Sequence, residues 1–102
     1  MPERKRRYAK FPGAAVMARL EPFEPVLSGK ALTFLATLPK RKQRRVVDLL
    51  FRLADYPSQP GDYDSVDEAG RKVQHLQIGS FVVSYWPDDA ARELRITDIE
   101  DL

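Results

Sequence analysis

The sequence predicts an α+β domain in which a helical hairpin packs on one face of a small antiparallel β-sheet, in the order β-α-α-β-β-β. Two adjacent stretches, 28–38 and 39–55, carry apolar residues at helical spacing. Two alternating stretches then flank Gly79-Ser80, and a last alternating run, ELRITDI, follows them.

Residues 14–20, AAVMARL, are the candidate first strand, ended by the two prolines of EPFEP, which supply no ladder donors. Ser28 suits a helix N-cap, and Leu27, Ala31, Phe34, Leu35 and Leu38 follow on one helical face. That helix stops near Pro39. The pattern restarts there, with proline tolerated in a first turn, and Val46, Val47, Leu50, Phe51, Leu53 and Ala54 form a broad apolar stripe. Tyr56 precedes Pro57, which disfavours further helix. Two helices joined so tightly are expected antiparallel. The next segment, SQPGDYDSVDEAG, is rich in turn formers and acids, has no periodicity, and reads as a surface loop.

In GRKVQHLQIGSFVVSYW, residues 70–86, a two-residue turn at Gly79-Ser80 fixes the strand register. Ile78 falls opposite Phe81, Leu76 opposite Val83 and Gln74 opposite Tyr85 on one face. Gln77 pairs with Val82, His75 with Ser84 and Val73 with Trp86 on the other. The first face is the more apolar and should lie under the helices with Leu94 and Ile96 from the last strand. The second carries His75, the sole histidine, with Ser84, Gln77, Trp86, Arg95 and Thr97. A one-sided antiparallel sheet leaves such a face partly open. A lone histidine there is more often structural or solvated than catalytic.

Composition bounds the function. The chain has 102 residues, 43% of them hydrophobic and 31% charged, which suits one small soluble domain. Residues 1–12 read as a basic tail and 13–102 as the domain. With no cysteine, disulfides, thiolate zinc sites and thiol nucleophiles are excluded. No metal site or other cofactor is expected. No apolar run suits a signal peptide or a membrane span, so a cytoplasmic protein with no membrane partner is the expectation. Net charge is only +2, yet Arg4, Lys5, Arg6, Arg7 and Lys10 crowd the start, and Lys40, Arg41, Lys42, Arg44 and Arg45 form a second block. The acids gather in 62–68 and 98–101. The basic blocks suit phosphates, with Tyr8 and Phe11 placed to stack on bases, while the plainer reading is solvated surface and a frayed terminus.

The ordered set FLATLPKRKQRRVVDLLFRLADYP, GRKVQHLQIGSFVVSYWPDD and ELRITDIED resembles the RelE/ParE toxin superfamily of bacterial type II toxin-antitoxin systems, the chains often called plasmid stabilisation or RelE-like proteins. The resemblance covers residues 31–102. It implies a small antiparallel sheet with the helical hairpin on one face and a concave opposite face, and a cognate antitoxin as partner. It also implies one of two targets: ribosome-bound mRNA, cleaved by RelE-type members acting as metal-independent mRNA interferases, or DNA gyrase, blocked by ParE-type members. Fold resemblance does not choose between them.

Cleavage beside a 2′-hydroxyl needs a base, cations for the transition state and an acid for the leaving oxygen. By resemblance, a basic residue of the second strand falls on His75, whereas the arginine expected after the hairpin turn falls on Val82. The family's basic or aromatic residues beyond the last strand are missing, because the chain ends in IEDL. The candidate catalytic set is therefore His75, Arg95 and Arg71, with Lys72, Gln77, Ser84, Trp86 and Thr97 as binding residues and an altered or weakened ribonuclease site expected. A non-catalytic gyrase inhibitor is the alternative, and an inactive stand-alone binding module a third.

Overall fold

The protein's structure, a computed structural model, describes residues 23–102. The strand expected over 14–20 and the tail over 1–12 lie outside the described residues. The elements are β1 (Glu24–Leu27), α1 (Gly29–Ala36), α2 (Lys40–Ala54), β2 (Tyr63–Val66), β3 (Lys72–Ile78), β4 (Phe81–Asp88) and β5 (Glu93–Asp101). They form one five-stranded sheet in the order β1-β5-β4-β3-β2.

β1 begins inside the proline segment that was expected to end a strand. It pairs with β5 in parallel, from Glu24↔Glu93 to Leu27↔Ile96, so the otherwise antiparallel sheet is mixed. Pro25 is accommodated because β1 is an edge strand. Glu24 and Ser28 donate their amides to Arg92 and Ile96 carbonyls at 3.0 and 2.9 Å, which leaves the intervening proline nitrogen on the open side.

Ser28 caps α1 as the sequence predicts. Its Oγ accepts from the Ala31 amide at 3.1 Å and donates to the Thr97 carbonyl at 2.8 Å, so one side chain satisfies the helix start and ties it to β5. Ala31 and Leu35 of α1 are buried, as are Val46, Leu50, Leu53 and Ala54 of α2. These side chains meet Val83, Tyr85, Leu94, Ile96 and Ile99 from the sheet. Leu76, Ile78, Phe81 and Val47, also expected in the core, pack against it while partly exposed. Phe34 meets Phe81 edge to face at 6.0 Å. Among the described residues no helix is long and apolar enough to cross a membrane.

The β3–β4 register is the predicted one, from Ile78↔Phe81 to Gln74↔Tyr85, around a Gly79 with φ of 61°. Two features depart from the expected pattern. A bulge at Ser84/Tyr85 shifts the β4–β5 register between Ser84↔Asp98 and Tyr85↔Ile96, which changes the parity of β5 and buries Ile99 together with Ile96. The segment expected as a loop contains β2, antiparallel to β3 with Tyr63↔His75 and Ser65↔Val73.

Tyr85 is fully buried, and its hydroxyl donates to the Gln59 carbonyl at 2.7 Å, fastening the segment between α2 and β2 to the core. Burial pushes the phenol pKa above its ordinary value, and the charge of Asp62 adds to the shift. Folding therefore favours the neutral phenol. Its contribution is intact below the unfolded-state pKa near 10 and is lost as pH rises through that value toward the folded one. Tyr85→Phe should cost about 1 kcal/mol at neutral pH and should weaken the loss of stability as pH rises above about 10. Urea unfolding of both proteins across that range measures it.

Candidate functional site

The face of the sheet away from the helices carries the predicted polar set, and β2 completes it. His75 pairs with Ser84 on β4 and with Tyr63 on β2. Its Nδ1 lies 2.8 Å from Ser84 Oγ, and its Nε2 lies 2.7 Å from Ser65 Oγ. The Tyr63 ring stacks on the imidazole at 4.6 Å between centroids and 8° between planes. A neutral imidazole offers one donor and one acceptor, and two flanking hydroxyls satisfy both in either tautomer. His75 is thus held at both nitrogens and covered on one ring face. Ser84, expected on a partly open surface, is only 6% exposed because β3 and β5 flank it and His75 lies over its hydroxyl.

The cationic candidates are also occupied. Arg71 Nε lies 3.0 Å from Asp67 Oδ2, and its guanidinium sits 4.4 Å from the centroid of the Trp86 ring. The Arg71 backbone amide holds the Asp67 carboxyl below its usual range, and the Arg71 side chain and Ala69 amide act in the same direction. Arg95, which pairs with Trp86 across the strands, reaches Glu93 at 2.9 Å and Asp88 at 3.4 Å. Val82, at the position where the resemblance implies an arginine, has Glu100 as its partner on β5.

The remaining candidates are scattered. Lys72 alternates onto the opposite side of β3 from His75 and borders a shallow depression with Pro57, Ser58, Gln59, Gln74 and Pro87. Gln77 is exposed and donates its amide to Asp62 and its side chain to the Gly79 carbonyl. Thr97 sits at the bulge and donates to the Ser84 carbonyl at 3.3 Å. The structure therefore brings His75, Ser84, Trp86, Arg71 and Arg95 onto one face and leaves Lys72 outside it. Tyr63 and Ser65 are the site residues that the sequence reading omitted. Their signal was the DEAG turn, where the Asp67 carboxylate accepts the amides of Ala69 and Arg71 and Gly70 takes a φ of 82°.

Two helices over one face of this mixed sheet, with a polar opposite face built on a β3–β4 hairpin, give a RelE-like fold shared with chains of two solved complexes. A chain of the toxin-antitoxin complex RelBE2 from Mycobacterium tuberculosis has a TM-score of 0.65 at 22% identity, covering 79% of this chain and 99% of its own. A chain of the archaeal RelE-RelB complex from Pyrococcus horikoshii has a TM-score of 0.59 at 15% identity, covering 78% of this chain and 94% of its own. No family model matches the sequence, and no curated protein matches it.

Proposed function

We propose that this chain is the toxin component of a type II toxin-antitoxin pair, acting in the cytoplasm and disabling its target by binding rather than by cleaving RNA. The toxin reading is supported by the fold and by the two similar structures, one a toxin-antitoxin complex and the other a RelE-RelB complex. The choice of mechanism rests on one observation: both nitrogens of His75 are taken by Ser65 and Ser84, with Tyr63 stacked on the ring. A general base must reach the 2′-hydroxyl with a free lone pair. The neighbouring cations are also paired with Asp67, Glu93 and Asp88, and one well-placed charge donor is commonly worth about 10²- to 10³-fold in rate. DNA gyrase is the first target to assay. The cognate antitoxin would cover the polar sheet face or the groove beside the helices, through a segment that orders on docking.

Induced expression of the wild type and of His75→Ala, scored for growth arrest and for cut ribosome-bound transcripts, tests this reading. Arrest without cleavage, retained in His75→Ala and relieved by the co-expressed antitoxin, is the expected result. Cleavage that disappears in a folded His75→Ala variant would establish the ribonuclease instead. Absence of arrest would remove the toxin reading and leave the stand-alone binding module.

A further inference from the structure

The outer face of α2 is the strongest unassigned surface. Its inner face is spent on the core through Val46, Leu50, Leu53 and Ala54. Arg41, Arg44, Arg45 and Arg52, with Asp48 and Leu49, line an open concavity on the solvent side. All four arginines are exposed. None has an ion-pair partner among the described residues, in contrast to Arg71 and Arg95 on the sheet. Lys40 and Lys42 extend the positive surface at the helix start, and Asp48 is its single acid.

We infer that this face docks on the phosphate backbone of a nucleic-acid duplex, independently of the sheet face described above. Three features select that occupant. At a rise of about 1.5 Å per residue, the row from Arg41 to Arg52 is about 16 Å long, enough to span about five phosphates of one strand. Guanidinium groups match phosphate oxygens in bidentate geometry and are more weakly hydrated than ammonium groups. Among the described residues, the exposed large hydrophobic ones are Leu32, Tyr56, Tyr63, Val66 and Leu102, and none belongs to α2. This face therefore lacks the aromatic platform that single-stranded bases need, the apolar anchor of a protein interface, and the wedge that enters a membrane. What it offers is charge at regular spacing, which reads backbone and not sequence.

The test is fluorescence anisotropy of the full chain with 20-base-pair duplex DNA and duplex RNA across 50–200 mM salt. Four contacts predict a fall in affinity of about 10²-fold over that range. The variant Arg41→Gln/Arg44→Gln/Arg45→Gln should bind at least about tenfold more weakly and flatten the log–log salt slope by about 3. Thermal melting by circular dichroism checks its folding, and single Arg44→Gln and Arg45→Gln variants, each expected to reduce the slope by about 1, keep the test open if the triple variant is unstable. The duplex bound more tightly identifies the source of the phosphates. Wild-type affinity and slope in the triple variant would overturn the inference, as would no duplex binding at 50 mM salt. Capture through these arginines by phosphatidylserine vesicles, with duplexes left unbound, would overturn it too. Because binding is read on the isolated protein, its failure leaves the growth-arrest result standing, and the converse also holds.

Discussion

Leu50→Ala is expected to lower the free energy of unfolding by about 2–5 kcal/mol, the largest effect of any single truncation considered for this chain. Leu50 is 1% exposed, on the α2 face that meets the buried sheet residues Tyr85, Leu94 and Ile96. Removing its branched end forfeits transfer free energy and leaves a void that rigid sheet neighbours fill only in part. A domain of this size is stable by about 5–15 kcal/mol, so the loss takes a large fraction of the total. It should lower the melting temperature by about 4–8 °C for each kcal/mol lost. Leu32→Ala is the matched control, because Leu32 on α1 is 56% exposed and should change stability by less than about 0.5 kcal/mol. Equal effects at the two positions would mean that α2 does not cover the sheet as described.

The same burial shows which features pattern alone could reach. The Gly79-Ser80 turn fixed the register, because a shift of one residue would have buried Ser84 and Val82 under the helices in place of Val83 and Tyr85. The Ser28 cap and the 3.6-residue stripe of α2 were equally legible, since one carries its own hydrogen-bonding signal and the other a sustained period. Ile99 was not. Period two predicts that Ile96 and Ile99 point to opposite faces, and only the bulge opposite Ser84/Tyr85 brings both inward. β1 was obscured by Pro25, which pattern reasoning treats as a strand end but which an edge strand tolerates.

β2 was hidden for a different reason: all four of its residues are exposed, so it has no apolar face to alternate with a polar one. Its consequence for the site is large. Register alone placed His75 and Ser84 side by side, but the second hydroxyl and the stacked tyrosine come from this strand. Sequence reasoning could therefore find the histidine's face without finding its partners. The pairing of Arg71 with Asp67 and of Arg95 with Asp88 was also out of reach, because a turn and cross-strand geometry bring these acids to them, whereas Glu93, two residues before Arg95 on the same strand, follows from period two.

Gly61→Ala should destabilise the protein by about 1–3 kcal/mol, with the damage concentrated at β2. A Cβ at Gly61 would lie 2.5 Å from the His75 carbonyl oxygen and 2.8 Å from both the carbonyl carbon and the nitrogen of that residue. These are backbone atoms of a central strand pair, so His75 cannot swing away as a flexible side chain would. The start of β2 must move instead. That motion would strain the Gly61 amide bond to Gln74 Oε1 and the Asp62 amide bond to the His75 carbonyl, both 2.8 Å long. Gly29→Ala is the contrast: nothing lies within 4 Å of a Cβ there, and the residue opens α1, so stability should hold or rise by up to about 1 kcal/mol. Hydrogen exchange should show faster exchange of amides 62–66 in Gly61→Ala while those of Val83 and Ile96 remain protected. The His75 ring resonances should shift as Tyr63 and Ser65 withdraw. Uniformly faster exchange would mean that β2 is integral to the core, and no change in stability or exchange would mean that the backbone approach at His75 is looser than described. Because the variant loosens the cover of His75 and spares the helices, growth arrest measured in the same strain reports whether the proposed toxin activity runs through the β2 side of the sheet.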